Sequence, residues 1–243
     1  MLIESAKGKV SMSQPSQFAL LKSRRFLPFF ITQLLGAFND NIFKQSLILA
    51  ILFKLALDTD RDLLVNVAAM LFILPFFLFS ALGGQFGEKF AKDWLIRRLK
   101  FFEIFIMGVG AVGVLFGNLT LMLGVLFTMG LQSALFGPVK YSILPQALEP
   151  EELVGGNALV EMGTFLAILA GTIGAGLMLT SAHYGVIVAA SVVLVAVLGY
   201  LSARSIPQAN AALPDLVLDW NIFRQTWLTL RMGLTQPKAV SRS

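Results

Sequence analysis

The sequence has no cysteine, a single histidine (His183), and only 14% charged residues in a chain of 243 residues. The absence of cysteine excludes a disulfide framework and thiolate chemistry. One histidine without a cluster of suitable partners excludes a metal site of the usual ligand spacing. A soluble domain carries about 25% charged residues, so the low charge excludes an ordinary soluble domain.

The sequence is instead rich in long hydrophobic runs. Hydrophobic residues make up 56% of the chain, and the mean hydropathy is +0.77. Because a membrane-spanning helix needs ~20 apolar residues, the sequence predicts an all-α membrane protein with six transmembrane helices. The predicted spans are residues 26–54, 64–86, 100–117, 120–138, 157–180 and 183–203. Gly117 and Asn118 suit a tight turn between the third and fourth spans.

The basic residues fall almost entirely on one side of these spans. Sixteen lysines and arginines lie in the N-terminal tail, the 87–99 loop with its flanks, the 139–156 loop and the C-terminal part, whereas the opposite loops hold Arg61. Cytoplasmic loops carry an excess of Lys and Arg. The distribution predicts that both termini are cytoplasmic, and the net charge of +5 is not taken as a sign of nucleic-acid binding.

The predicted organisation has three parts. Residues 1–25 form a cytoplasmic N-terminal tail, in which Met12 is an alternative start, and residues 26–203 form the six-helix transmembrane domain. Residues 204–243 form a cytoplasmic linker with an amphipathic helix, suited to the membrane interface or to a partner domain. The apolar face of that helix comprises Leu216, Trp220, Phe223, Trp227 and Leu230.

The first span carries polar residues where the centre of the bilayer would lie. Residues 26–53 read FLPFFITQLLGAFNDNIFKQSLILAILF, with Asp40 near the middle. An ionised group at that depth is costly and typically faces a bundle interior or a wet cavity, which makes Asp40 a candidate functional residue. Steps of three to four residues place Gln33, Asp40 and Lys44 on one helix face as a polar stripe.

Asp40 and Lys44 have the spacing and order of a helical ion pair, and two interpretations stay open. In the functional one, Asp40 binds a coupling cation, Na⁺ or H⁺, or a cationic headgroup, and Lys44 sets its charge state. In the structural one, the pair only neutralises itself inside the bundle. Asn39, a lesser candidate, and Asn41 are expected to bond neighbouring helices.

Further candidates lie around the fourth and fifth spans. Gly137-Pro138 predicts a helix break near the cytoplasmic face, and Lys140 just beyond it would meet an anionic phosphate or snorkel to lipid phosphates. Glu161 lies about one turn inside the fifth span, where the helix dipole also favours an acid. Glu103 is expected to open the third span and to pair with nearby arginines. Small residues at four-residue spacing in the fifth span predict close helix packing.

The predicted loop between the second and third spans has a motif-like pattern. Gly84, Glu88, Lys89 and Lys92 fit G-x-x-x-D-R/K-x-G-R/K-K, with Glu88 in place of Asp and Ala91 in place of the second Gly. The loop resembles the gating loop of the major facilitator superfamily, where a charge relay latches the gate. The alternative is a basic cytoplasmic loop that only follows the positive-inside rule.

Three stretches together resemble a narrower family: TQLLGAFNDNIFKQSL (32–47), the 83–100 segment, and GPVKYSILPQALEPEELVGGNALVEMGTFLAILAGTIGAG (137–176). They are similar to bacterial lysophospholipid transporters of the major facilitator superfamily, and more so to the transporter domain fused to an acyltransferase and acyl-carrier-protein synthetase. The resemblance implies movement of lysophospholipid, such as lysophosphatidylethanolamine, across the bacterial inner membrane toward the cytoplasmic leaflet for re-acylation. It also implies that Asp40 is the first-span acid that contributes to transport.

Such transporters have twelve spans in two six-span halves, so the resemblance implies that this chain is the N-terminal half. The other half would be a separate chain, a lost gene segment or a second copy in a homodimer. An alternative hypothesis, from a different functional class, is that the chain is a non-transporting membrane anchor of, or partner for, a glycerophospholipid acyltransferase. The sequence shows no nucleophile–base set and no phosphate-binding glycine loop, so an enzyme is not expected.

Overall fold

The computed structural model describes residues 17–55, 60–221 and 224. Two 3-10 helices, Gln17–Lys22 and Pro150–Glu152, precede the first and fifth α-helices. The described residues contain no strand, which confirms the all-α class. The α-helices are α1 (Leu27–Phe53), α2 (Arg61–Lys89), α3 (Lys92–Leu115), α4 (Leu119–Ala147), α5 (Leu153–Leu179) and α6 (Tyr184–Arg204).

Four of these helices, α2, α4, α5 and α6, are long and apolar enough to cross a membrane. The other two have similar lengths, 27 residues in α1 and 24 in α3. These two helices carry nine of the eleven buried polar and charged side chains among the described residues, and α4 carries the other two, Gln132 and Lys140. Polar groups therefore interrupt the apolar character of α1 and α3 most strongly.

Helix ends follow local signals in the sequence. The Asp60 carboxylate caps α2 by accepting the N–H groups of Asp62 and Leu63 at 2.9 and 3.4 Å. The Asn118 side chain caps α4. Gly117, just before it, has φ +60°, a left-handed conformation that glycine adopts without strain. The predicted tight turn between the third and fourth helices is confirmed.

Two predicted helix boundaries are wrong. α4 continues through Gly137 and Pro138 to Ala147, because helices in membrane bundles tolerate proline where neighbouring groups satisfy the freed backbone. α3 begins at Lys92 rather than near residue 100. The predicted 87–99 loop is thus almost wholly helical, and only Phe90 and Ala91 connect α2 to α3.

The helices pack in a continuous row that curves on itself. α2 packs on α4, α4 on α3, α3 on α6, α6 on α1, and α1 on α5, while α1 and α4 also touch. At the α1–α5 contact, a Cβ on Gly171 would lie 2.9 Å from the Phe38 carbonyl oxygen. The close packing predicted for α5 is confirmed, because its small residues Gly163, Ala167, Gly171 and Ala175 are all buried.

A polar layer divides the apolar interior into two clusters. One cluster includes Phe43 of α1 and Met107 of α3, and the other includes Phe29 of α1 and Leu99 of α3. Between these positions along the helices lie buried polar residues that we call the polar layer. Its members are Gln33, Asn39, Lys100, Glu103 and Gln132. Burial at this level requires hydrogen-bonded partners for each of them.

After α6 the chain runs without α-helix from residue 205 to residue 221, a segment that we call the strap. Ile206 and Ala209 of the strap are buried in the second apolar cluster. The amphipathic helix predicted from Leu216 is not formed in residues 216–221. Its remaining apolar positions, and residues 1–16 of the predicted tail, lie outside the described residues.

Candidate functional site

Asp40 joins α1 to α4 at the level of the polar layer. Its carboxylate accepts a hydrogen bond from the Ser133 hydroxyl at 2.7 Å. The Ser133 oxygen also lies 3.4 Å from Oε1 of Gln132. Asp40 and Ser133 are half-buried, whereas Gln132 is buried. Three side-chain oxygen atoms, each able to act as a ligand to a cation, therefore lie close together where α1 and α4 touch.

Lys44 does not form the predicted ion pair with Asp40. Its ammonium lies 5.1 Å from the centre of the Phe72 ring of α2. The ion pairs of the described residues do not include Asp40 and Lys44. The prediction that the two charges neutralise each other directly is therefore wrong.

Gln33 belongs to a different contact from Asp40. Its amide nitrogen donates to the Val160 carbonyl oxygen at 2.9 Å and to the Thr164 hydroxyl at 3.0 Å, both on α5. The predicted polar stripe thus divides: Gln33 is directed to α5, Asp40 to α4 and Lys44 to α2. The structure does not bring Gln33 together with Asp40.

The two asparagines beside Asp40 behave differently. Asn39 is fully buried and donates to Glu103 of α3 at 3.2 Å, which confirms its expected bond to a neighbouring helix. Asn41 instead donates to the Ala37 carbonyl oxygen of its own helix at 2.8 Å, so the expectation for Asn41 is wrong. The side-chain oxygen of Asn39 has no hydrogen-bond partner among the described residues.

A buried ion pair on α3 was not predicted from the sequence. The Lys100 ammonium lies 2.6 Å from Oε2 of Glu103, and each side chain is 2% exposed. The amide nitrogen of Gln132 also donates to that carboxylate, at 3.4 Å. Glu103 lies in the middle of α3 and pairs with this lysine, not with the nearby arginines as expected. The three-residue spacing of the two charges within one helix was the signal for this pair.

Lys140 and Glu161 come together across α4 and α5. The Lys140 ammonium lies 3.2 Å from the Glu161 carboxylate. The Tyr141 hydroxyl donates to the same carboxylate oxygen at 2.6 Å. Tyr141 is 49% exposed, so this cluster reaches the surface, separate from the polar layer. An anionic group that approached Lys140 would compete with Glu161 for its ammonium.

The predicted gating residues lie at the junction of α2 and α3. Gly84, Glu88 and Lys89 belong to the last turns of α2, and Lys92 begins α3. The carbonyl oxygen of Glu88 and the ammonium groups of Lys89 and Lys92 bond backbone groups of the strap at 2.9, 2.8 and 3.4 Å. Their gating role stays a prediction, and the structure adds the strap as their contact.

Comparisons with known proteins agree with the family resemblance seen in the sequence. No family model matches the chain. The chain is 31% identical over 198 residues to the lysophospholipid transporter LplT of Escherichia fergusonii, and equally so to the LplT proteins of Escherichia coli K12 and Shigella boydii. The match covers 81% of this chain and 46% of each relative, so the chain spans about half the length of these relatives. With its long apolar helices, it is a multi-pass membrane protein. The chain belongs to the lysophospholipid transporter family.

Proposed function

We propose that this chain is the N-terminal half of a secondary transporter that moves lysophospholipid, such as lysophosphatidylethanolamine, across the bacterial inner membrane toward the cytoplasmic leaflet. The observation that carries the proposal is the Asp40–Ser133 contact between α1 and α4, beside the polar layer. The printed name of the relatives, lysophospholipid transporter, supports the substrate class. In this proposal all six helices span the membrane and both termini are cytoplasmic.

The oxygen donors around Asp40 fit a small coupling cation. The Asp40 carboxylate, the Ser133 hydroxyl and Oε1 of Gln132 are hard ligands of the kind that bind Na⁺-like cations. Asp40 would carry the charge in a proton-coupled version as well. Lys44, whose ammonium lies against the Phe72 ring, supplies a second charge on the same helix for an anionic headgroup.

The Lys140–Glu161 cluster fits the phosphate of an incoming lysophospholipid. The Glu161 side chain is 42% exposed and the Lys140 side chain is 11% exposed. An incoming group would therefore meet Glu161 before it reaches Lys140. A phosphate that displaced Glu161 would gain the Lys140 ammonium, because lysine binds phosphate as a point charge. The Tyr141 hydroxyl, released from Glu161, would then be available to the phosphate as a donor.

A second six-helix half is part of the proposal. The helices α2 and α5 lie at the two ends of the row, and both expose large apolar side chains. These include Leu63, Met70, Ile73, Phe165, Leu169 and Leu177. In transporters built from two such halves the substrate site lies between them. In this proposal the exposed apolar faces of α2 and α5 are available to pack against the second half.

Transport by reconstituted protein tests this proposal. The purified chain is placed in proteoliposomes with fluorescent lysophosphatidylethanolamine, and transfer is measured as protection of the lipid from external dithionite. We expect Asp40→Asn to lower the rate by about tenfold or more, equivalent to about 1.4 kcal/mol or above. The control is Asp62→Asn, because Asp62 is exposed at the start of α2 and outside the polar layer.

Each result has a distinct meaning. In a preparation whose wild type moves the lipid, alone or with a second half, equal rates for the wild type and Asp40→Asn would show that the assigned site is wrong. A chain that binds lysophosphatidylethanolamine but moves it only when co-reconstituted with a second half would identify the separate-chain arrangement. A chain that neither binds nor moves the lipid would favour the membrane-anchor alternative, in which an acyltransferase is encoded beside it.

A further inference from the structure

The proposed transport function assigns no role to the ion pair on α3. Lys100 and Glu103 lie one helical turn apart with a 2.6 Å contact, and both are almost wholly buried. A single charge within a membrane bundle is costly, so each charge needs the other. The pair belongs to the polar layer and lies between the two apolar clusters.

The pair is in contact with two other helices. Asn39 of α1 donates to one oxygen of Glu103 at 3.2 Å, and Gln132 of α4 donates to the other at 3.4 Å. The Lys100 ammonium occupies the space that a Cβ on Gly36 of α1 would need. Glu103 thus contacts the residue beside Asp40 on α1 and the residue beside Ser133 on α4.

Stability is a weak explanation for such a pair. Replacing a buried ion pair by apolar residues of similar volume is often neutral or stabilising, whereas removing one partner alone is strongly destabilising. The hydrogen bonds that the pair makes to polar side chains point to another role. They fix the orientation of those side chains.

Glu103 determines which end of the Gln132 amide faces Ser133, the residue that donates to Asp40. A carboxylate paired with an ammonium only accepts hydrogen bonds, so Gln132 turns its amide nitrogen toward Glu103. Its carbonyl oxygen then points to the Ser133 oxygen at 3.4 Å, and the Ser133 hydroxyl donates to Asp40 at 2.7 Å. An uncharged partner in place of Glu103 would accept either end of the amide and lose this selection.

We propose that Glu103 is a positioning residue of the Asp40 site, where it holds the carbonyl oxygen of Gln132 toward a bound Na⁺, and that Lys100 is its counter-charge. Neither residue touches the cation or the lipid. The inference rests on the proposed function, because it takes Asp40 as the residue that binds the coupling cation.

The test uses the full chain and Na⁺ as the probe. The variants are Glu103→Gln, Glu103→Asp and the neutral double variant Lys100→Met/Glu103→Gln. The control is Glu152→Gln, which breaks a partly exposed ion pair with Arg25 far from Asp40. Two measurements are made with NaCl exchanged for choline chloride at constant ionic strength: the rise in unfolding temperature, and the Na⁺ dependence of lysophosphatidylethanolamine transfer.

We expect the single variant Glu103→Gln to unfold at a lower temperature and the double variant to recover the wild-type value in choline chloride. The half-saturating Na⁺ concentration of the double variant should still rise by about tenfold or more, as is usual when a residue that orients a ligand is removed. The maximal transfer rate should change less than this. Glu103→Asp should keep part of the Na⁺ response, and the control should keep all of it.

A double variant with the wild-type half-saturating Na⁺ concentration would overturn the inference and leave the pair a purely structural role. If the double variant does not fold, Glu103→Asp is judged against the same criterion. The unfolding measurement needs no transport, so it separates two failures. A wild type that responds to Na⁺ but neither binds nor moves lysophosphatidylethanolamine contradicts the proposed function alone. A wild type without any Na⁺ response contradicts the positioning role.

Discussion

Two glycines of α4 have very different surroundings. A Cβ on Gly130 would overlap the backbone carbonyl oxygen of Phe72 in α2, and the carbonyl carbon would lie 3.2 Å away. A Cβ on Gly124 would meet nothing within 4 Å. Because a backbone carbonyl cannot rotate aside, we expect Gly130→Ala to force α2 and α4 apart. The expected cost is about 1–3 kcal/mol, typical of overpacking, measured by denaturant unfolding in detergent.

Gly124→Ala is the matched control on the same helix. Alanine has the higher helix propensity by about 1 kcal/mol, so this variant should be as stable as the wild type or more so. Ser133 lies three residues beyond Gly130, so the displaced α4 should also carry its hydroxyl away from Asp40. Equal stability of the two variants would show that the α2–α4 contact is looser than the structure indicates.

The residues of the site differ in how far the sequence alone reveals their role. Asp40 stands out because it interrupts an apolar run, and hydropathy alone finds it. Lys100 and Glu103 lie a few residues from Arg97 and Arg98, so they look like the edge of a basic loop. Which side chains a residue meets on other helices is a property of packing, and one sequence contains no record of it.

At the scale of elements, the strap ties the ends of several helices together. The Asp93 carboxylate of α3 accepts the backbone N–H of Ala209 at 3.1 Å and also pairs with Arg97 at 3.1 Å. Arg97 in turn donates to the Ile206 carbonyl oxygen at 2.9 Å. Basic residues that the sequence assigned to a loop therefore hold a backbone segment, which explains why periodicity alone placed the start of α3 too late.

Removing the Asp93 carboxylate should release the strap. Asp93→Ala leaves the buried Ala209 N–H without its acceptor, at a cost of about 1–3 kcal/mol. Since 1.4 kcal/mol is a factor of ten, we expect chymotrypsin cleavage after Leu216 or Leu218 to become about tenfold faster in the detergent-solubilised protein. Mass spectrometry of the fragments identifies the site of cleavage.

Glu151→Ala is the control for this experiment, because Glu151 is exposed and lies between α4 and α5. Its cleavage rate should match that of the wild type. A strap that stays protected in Asp93→Ala would mean that the burial of Ile206 and Ala209 alone holds it in place.

On the scale of the whole molecule, hydropathy and charge predicted the helical architecture well. Six apolar runs and short polar connections correspond to α1–α6, because apolar length is the main requirement of a transmembrane helix. The order in which these helices pack follows from side-chain shape and small-residue contacts between distant segments, and those are not visible in a hydropathy pattern. The same holds for Gly137-Pro138. The pair alone predicts a helix break, whereas α4 continues through it, because neighbouring groups in a bundle can satisfy the freed backbone.

The orientation of the six helices can be measured directly, because the chain has no cysteine and every introduced thiol reports on one position. We propose four single variants at exposed sites outside or at the ends of helices: Phe116→Cys, Glu151→Cys, Ala182→Cys and Gln208→Cys. The excess of lysine and arginine on one side predicts that the turns after α3 and α5 face outward, while the α4–α5 connection and the strap are cytoplasmic.

In intact spheroplasts, a membrane-impermeant maleimide should therefore label the cysteines at positions 116 and 182 and leave those at 151 and 208 unlabelled until the membrane is permeabilised. Arg61, the one basic residue that the sequence predicts on the outer side, donates from its guanidinium to the Leu52 carbonyl oxygen at the end of α1. The opposite labelling pattern would invert the topology and place Lys140 on the outer side. Labelling at 151 and 182 together would mean that α5 does not cross the membrane, which would remove the six-span half-transporter.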